Sequence, residues 1–367
     1  MLSACSTKNI EKAELNENNK TISNYSALGI ENSTDNIIIQ EPETFTEIAT
    51  VSYDELHGEF QGNSKLVEFI EMMHLQHNFN RNYLNKIFSQ AQNYTLIPQN
   101  RSRSSRQYQS NLGKWDRYRN IFIYEKNIQR GVDFWEKHED VLSRATQEYG
   151  VPAEYIVGII GIETAFGVNF GKHRVIDVLT TKSMLNNQRE SFYTNQLESF
   201  LIMTRQAGLD PTVLMGSSAG AMGYGQFIAS SYLDFAVDFN GDGITDLWNA
   251  EDAIGSIANY FSRNGWKRGL NQVAIRAKYN GSRFKKLKTG YKTRYSQNKL
   301  KRKHQIRPRA KMECKDSVCL VRLNRAKYDE LWWGTHNFRV ITTYNHSTHY
   351  AMAVHQLAKA IKAKRGF

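Results

Sequence analysis

Between Tyr53 and Ala277 the apolar positions of the chain recur mostly with a helical period, and after Lys278 that period disappears. Ser64 is placed to cap a helix running through SKLVEFIEMMHLQHN, whose inner stripe is Leu66, Phe69, Ile70 and Met73. Arg81 to Ala91 repeats the pattern with Tyr83, Leu84, Ile87 and Phe88. The polar stretch Gln99 to Gly113 reads as a loop, and Val132 to Tyr149 as one helix with Phe134, Trp135, Val141, Leu142 and Ala145 inward, stopped by Gly150. Pro152 suits the first turn of the next helix. Further helices are expected from Val175, from Arg189 to Arg205, from Asp252 to Asn264 and from Ala351 to Lys364. Beyond Lys278, Val318 to Leu323 reads as a strand, and a second apolar run from Leu331 through Phe338 to Ile341 is expected to pair with it. The chain is therefore mainly α (α+β), with a small β-rich insertion at Lys278 to Asn337.

The most apolar helical stretch, Ile156 to Gly171 (IVGIIGIETAFGVNFG), carries a single carboxylate, Glu163, among Ile159, Ile160, Ile162 and Phe166. A carboxyl in such company tends to keep its proton, because burial penalises the charged form. A protonated carboxyl near neutral pH is what a general acid requires.

Composition changes the picture in two places. The net charge of +12 is local: Lys278 to Lys315 holds fifteen Lys or Arg and one acid, Glu313, which leaves 33 basic and 35 acidic residues elsewhere. Such a cluster is either a solvated face or an attraction to anionic cell-wall polymers or lipid headgroups, and no nucleic-acid motif accompanies it. At the other end, Leu2-Ser3-Ala4-Cys5 resembles a bacterial lipobox in which Cys5 is lipidated, although the charged and apolar regions of a signal peptide are not in front of it. Ser6 to Thr50 is rich in Asn, Ser, Thr, Glu and Ile without a sustained amphipathic period, the composition of a flexible tether. No window approaches the ~20 apolar residues of a membrane span. Cys314 and Cys319 either remain thiols or close a small hairpin disulfide.

Two further stretches bear on chemistry. Gly216 to Tyr232 (GSSAGAMGYGQFIASSY) crowds glycines beside Gln226 and two Ser pairs, which suits close backbone approach to a sugar polymer and lacks the ending of a phosphate loop. In Asp238 to Asp252 (DFNGDGITDLWNAED), Asp238, Asn240 and Asp242 take the first, third and fifth places of a calcium loop, Gly243 the sixth and the Ile244 carbonyl the seventh. Asn249 stands where the twelfth-place Glu belongs, and Asp252 is available as the bidentate ligand of a lengthened loop.

These motifs in this order, Gly161-Ile162-Glu163-Thr164, Gly220 to Phe227, the Asp-rich loop and Tyr344-Asn345-His346-Ser347 with Tyr350 to Val354, resemble the B-type membrane-bound lytic murein transglycosylases of the lysozyme-like superfamily (glycoside hydrolase family 103-like) over about residues 60 to 367. The resemblance implies a lysozyme-like helical core (139–277 with 338–367), an added helical domain (53–138) behind the tether (1–52), and the small β-rich domain (278–337). It implies a structural Ca²⁺ held by Asp238, Asn240, Asp242, Ile244 and Asp252, and a lipoprotein on the periplasmic face of a Gram-negative outer membrane. Glu163 would be the single acid and base that cuts the β-1,4 bond between N-acetylmuramic acid and N-acetylglucosamine in peptidoglycan, leaving a 1,6-anhydro end. Tyr118, Arg189, Ser217, Gln226, Tyr260, Tyr344, Asn345 and Tyr350 would line the glycan groove. The rivals are a murein hydrolase on the same scaffold and a non-catalytic murein-binding lipoprotein. The charge density of the insertion departs from the usual pattern of the family.

Overall fold

The computed structural model describes residues 54–96, 112–185 and 188–366. The tether, Cys5 and most of the Gln99 to Gly113 loop lie outside the described residues. The helices are α1 (Ser64–His77), α2 (Arg81–Ser89), α3 (Lys114–Phe122), α4 (Glu125–Lys137), α5 (Glu139–Tyr149), α6 (Ala153–Thr164), α7 (Val175–Met184), α8 (Glu190–Gln206), α9 (Ala229–Phe235), α10 (Ala250–Arg263), α11 (His336–Tyr344) and α12 (Thr348–Arg365). The strands are β1 (His173–Arg174), β2 (Met215–Gly216), β3 (Ala274–Lys278), β4 (Arg294–Tyr295), β5 (Arg307–Pro308), β6 (Val318–Asn324) and β7 (Asp329–Gly334). No described helix is long and apolar enough to cross a membrane.

Helix α6 is the axis of the molecule. Every residue from Glu154 to Ile162 is buried, so it is apolar nearly all round, as a helix enclosed by others must be. It is surrounded by α4, α5, α10 and α12. Gly161 admits α12 closely: a side chain there would meet Leu357 and the ring of Phe166 within 2.9 Å. Burying each large apolar side chain of α6 contributes roughly 1.5–3 kcal/mol, so the helix is held by packing rather than by propensity. One contiguous core extends from Leu56 to Ile361 and takes in residues from both the expected helical domain and the expected catalytic core.

The remaining strands form an antiparallel sheet in the order β4-β6-β7-β3-β5. In β6, Cys319, Val321 and Leu323 face the main core, while Val318 and Leu320 join Trp333, Leu331, Phe284 and Leu300 in a second core. A sheet covered on both faces reads as a continuous apolar run, which is why β6 is so plain in the sequence. The same alternation settles the cysteines. Cys319 is turned into the main core beside Phe338, burial pushes its thiol up to about 12, and both it and Cys314 are free, so there is no disulfide between them.

Other expectations are corrected. The cap of α1 is Asn63, whose side chain accepts from Leu66 N, and not Ser64. The single helix expected over Val132 to Tyr149 is two, broken at His138. The run from Leu331 to Ile341 is a strand only as far as Gly334; Phe338, Val340 and Ile341 belong to α11. The sheet begins at Ala274, four residues before the expected start of the insertion at Lys278.

Candidate active site

The last turn of α6 places Glu163, and the chain stops being helical one residue later, after Thr164. Ala165 and Phe166 adopt positive φ values of 49° and 64°, a conformation that costs non-glycine residues roughly 1–3 kcal/mol each. Thr164 holds this break in place. Its hydroxyl lies 3.1 Å from the Ile160 carbonyl and 3.3 Å from the Tyr224 carbonyl, and it accepts from Gly167 N at 3.1 Å. The helix end is thus tied to the Gly-rich loop, whose Tyr224 N donates in turn to the Leu247 carbonyl.

The Glu163 carboxyl is half-buried and raised to about 7, chiefly by burial and against the lowering effect of one hydrogen bond. That bond comes from Tyr350, whose hydroxyl donates to Oε1 at 2.5 Å. Tyr350 stacks on Tyr344 with ring centroids 6.4 Å apart and planes 10° from parallel. Tyr344 donates to the Gly225 carbonyl at 2.5 Å and lies edge-on to Tyr260, 4.9 Å between centroids. The negative charge of Glu163 raises the hydroxyls of Tyr118, Tyr344 and Tyr350, each already raised more strongly by burial. What surrounds this carboxyl is therefore a ring of tyrosines. Among the described residues no second carboxylate acts on it.

The predicted groove residues lie on several elements. Tyr118, Tyr260, Tyr344 and Tyr350 come together around Glu163, and Gln226 joins them through the loop it shares with Gly225. Gln226 has φ of 49°, and its amide donates to the Phe170 and Gly223 carbonyls. Asn345 is exposed at the end of α11, beside the tyrosines. Ser217 lies in the Gly-rich loop and Arg189 at the start of α8. The Ser217 hydroxyl accepts from Ala221 N within its own loop. Arg189 lies over the ring of Phe192 at 4.2 Å, at the start of α8. Nearby Lys182 donates to the Ser218 carbonyl at 2.5 Å and lies over the Tyr193 ring, so both belong to one edge.

Two side chains carry more than the sequence assigned them. Thr164 stands within a motif already singled out, yet its clamp depends on a carbonyl sixty residues away. His349 packs between Trp115 and Tyr118, with centroids 5.5 and 5.6 Å away, and thereby backs a predicted groove tyrosine. A His one residue before Tyr350 was the available signal.

The Asp-rich loop is wrapped on its own carboxylates. Asp238 accepts from Gly241 N and Gly243 N, Asn240 from Asp242 N, and Asp242 from Ile244 N. Gly243, at φ of 87°, supplies the sharp turn. Asp252 is fully buried; its oxygens accept from Phe239 N, Asn240 N and Asp246 N, and no described cationic side chain neutralises it. Among the described residues no three His, Cys, Asp or Glu side chains close into a metal cage. The donors are nevertheless hard oxygens at alternate places, and a buried carboxylate with only amide partners fits a cation.

A buried central helix ending in one protonatable carboxyl, within a body of helices and beside a small sheet, defines a glycan-cleaving enzyme of lysozyme-like architecture. Residues 61–359 match the family model described as the transglycosylase SLT domain. The chain is 44% identical over 316 residues to membrane-bound lytic murein transglycosylase B of Escherichia coli K12, covering 85% of this chain and 86% of that one. Among solved structures, E. coli lytic transglycosylase Slt35 in complex with bulgecin A superposes with a TM-score of 0.77 at 43% identity, over 86% of this chain and 99% of that one. The same E. coli enzyme has been solved in complex with calcium, with the same score and coverage. Pseudomonas aeruginosa SltB1 gives 0.73 at 39% identity, over 83% of this chain and 100% of that one. The chain belongs to the transglycosylase SLT domain family, and it is a peptidoglycan lytic transglycosylase, an enzyme of the lyase class.

Proposed function

We propose that Glu163 alone performs both proton transfers of the reaction. The observation that carries this is its setting: a carboxyl raised to about 7, with Tyr350 donating to one oxygen and no other acid acting on it among the described residues. Because Tyr350 occupies Oε1 as a donor, the acidic proton resides on Oε2, the oxygen left for substrate. Glu163 gives that proton to the glycosidic oxygen of the β-1,4 bond between N-acetylmuramic acid and N-acetylglucosamine as the C1–O bond breaks. The resulting carboxylate takes the proton of the muramic acid C6 hydroxyl while that oxygen bonds to C1. Glu163 ends reprotonated and no water is consumed. A hydrolase generally needs a second carboxylate to activate water or to attack C1; tyrosines stand around Glu163 instead.

The groove reading follows the geometry. Tyr118, Tyr260, Tyr344 and Tyr350 provide ring faces and hydroxyls for sugars, Gln226 and Asn345 provide amides, Ser217 a hydroxyl, and Arg189 a guanidinium that suits a stem-peptide carboxylate. Asp238, Asn240, Asp242, the Ile244 carbonyl and Asp252 hold one structural Ca²⁺, as the calcium complex of the E. coli relative supports. The ion neutralises the buried Asp252 and fixes the loop; it takes no part in bond cleavage. The name of the E. coli relative also supports attachment to the periplasmic face of a Gram-negative outer membrane, here through a lipid on Cys5. Residues 278–315 contact an anionic polymer, on the strength of their charge.

Mass spectrometry of murein digested by the full chain tests the assignment. Fragments with anhydro ends, lighter by one water than hydrolytic products, are expected, and Glu163→Gln should release none. Hydrated reducing ends as the primary product would overturn the single-residue mechanism.

A further inference from the structure

The small sheet domain carries a charge that its own structure does not use. All fifteen Lys and Arg between Lys278 and Lys315 are exposed except Lys301, which is half-buried over the Trp333 ring. None forms an ion pair with another described residue. The one acid of the segment, Glu313, accepts from Gln272 N, and the next one along the chain, Asp316, is paired with Lys267 from outside it. Lys278 and Arg307 stand directly opposite each other across the β3–β5 pair, and like charges in that relation destabilise a sheet. His304, beside Lys299 and Lys303, is lowered by burial and then by those two charges. A fold that keeps an unrelieved cross-strand repulsion on an outer strand is arranged for an anion that arrives from outside.

Three observations select the anion. Cations stand on both edges of the sheet, Arg294 on β4 and Lys278, Arg307 and Arg309 at β3–β5, which suits a flexible polyanion better than a flat surface. No large apolar side chain of 278–315 is exposed, so nothing is offered for insertion into lipid. The domain is also joined to the catalytic groove: the Tyr291 hydroxyl donates to the His346 carbonyl at 3.3 Å, and the two rings stack at 6.5 Å, one residue beyond Asn345.

We propose that the sheet domain is a second hold on the murein strand, in which the basic residues of 278–315 bind the carboxylates of acidic stem peptides beyond the sugars held around Glu163. This rests on murein as the substrate and on the polyanion contact proposed above, and it names the polymer. The domain raises the local concentration of substrate at the groove and makes binding sensitive to salt.

The test uses the full chain carrying Glu163→Gln, so that binding is measured without digestion. Two variants are compared with it by co-sedimentation with purified sacculi over a range of salt: Lys278→Gln with Arg307→Gln, and Arg302→Gln with Lys303→Gln. Each pair is expected to weaken binding roughly five- to tenfold at low salt and to flatten the salt dependence. The first pair should not lower the melting temperature, because it removes a repulsion, so a loss of binding cannot be attributed to misfolding. Sacculi whose carboxylates have been converted to neutral amides should bind parent and variants equally weakly. The proposal is overturned if the variants bind native sacculi as the parent does or if amidation changes nothing. It is equally overturned if the loss appears only on phosphatidylglycerol vesicles or on duplex DNA. Release of fragments by the Glu163→Gln parent would instead overturn the assignment of the acid and leave the docking result standing.

Discussion

Replacing Glu163 by Gln should abolish activity and, above neutral pH, make the protein more stable. The carboxyl ionises at about 7 in the folded protein against 4.5 ordinarily. Its folded value is raised, so its neutral form fits the fold at low pH, and stability is lost as pH rises through the folded value. Between pH 4.5 and 7 the unfolded chain gives up the proton while the folded protein keeps it, and each pH unit of that difference is worth about 1.4 kcal/mol. The wild type therefore gives up about 3 kcal/mol by pH 8, while the amide of the Glu163→Gln variant remains neutral throughout. The amide oxygen still accepts from the Tyr350 hydroxyl, so the hydrogen bond that positions the side chain is retained in kind.

The assay is thermal unfolding of the two proteins in parallel from pH 4 to pH 9. Near pH 4.5 the melting temperatures should nearly coincide. By pH 8 the variant should melt higher by roughly 6 °C, taking about 2 °C per kcal/mol for a chain of this size. Other titrating groups are common to both proteins and drop out of the difference. A constant offset at all pH values would mean that Glu163 is not held protonated, and a wild type more stable than the variant at pH 8 would mean that its charge is favoured. Either result removes the basis for treating it as a general acid near neutrality.

Three further outcomes are expected. Tyr350→Phe removes the hydrogen bond that lowers the Glu163 value, so the alkaline limb of the pH profile of kcat/KM should move from about 7 upward by about one unit, with a lower maximum; a limb that stays in place or moves down refutes the contact. Thr164→Val loses the clamp to Tyr224 and Gly167 and should cost about 1–3 kcal/mol of stability, with kcat falling about tenfold at nearly constant KM; unchanged kcat would show that the helix end is held by other means. Calcium at a hundredfold excess over Kd should add about 2.7 kcal/mol, a rise of roughly 5 °C in melting temperature that Asp238→Ala abolishes; a rise that survives the substitution misplaces the ion.

The parts of this protein that were legible in its sequence are those whose physics is local. A lone Glu among isoleucines announces its own desolvation, and acidic and amide side chains at alternate positions announce a tight turn wrapped on its own oxygens. The parts that were missed depend on partners far along the chain. Nothing between Val132 and Tyr149 breaks a helical period, yet α4 packs on α12 while α5 packs on α10, and the chain bends at His138 to satisfy both. The apolar run from Leu331 to Ile341 has the character of a strand throughout, and it turns helical where the Thr335 hydroxyl reaches the Gln272 and Val273 carbonyls, more than sixty residues earlier and just ahead of β3. Thr335 stands at the start of α11 without capping it, its hydroxyl being turned to those distant carbonyls instead. Cys314 and Cys319 fail as a pair for a related reason: separation along the chain says nothing about which face of a strand a thiol occupies, and that face is set by what covers the sheet.

The same distinction bears on Glu163, the proposed catalytic residue. Its raised value needs no alignment of distant charges, because burial dominates and the opposing contribution is one hydroxyl from α12. A second carboxylate would have repelled the charge of Glu163, raising its value further, and would have coupled the two titrations. Tyrosines do neither at neutral pH, because their hydroxyls are held above their ordinary range by burial and by Glu163 itself. The ring of tyrosines thus supplies donors and stacking faces without adding charge, and under the proposed mechanism it leaves one group to move the proton in both directions. That is the economy a reaction without water requires: the base of the second half is the acid of the first, in the position where the leaving oxygen has just been.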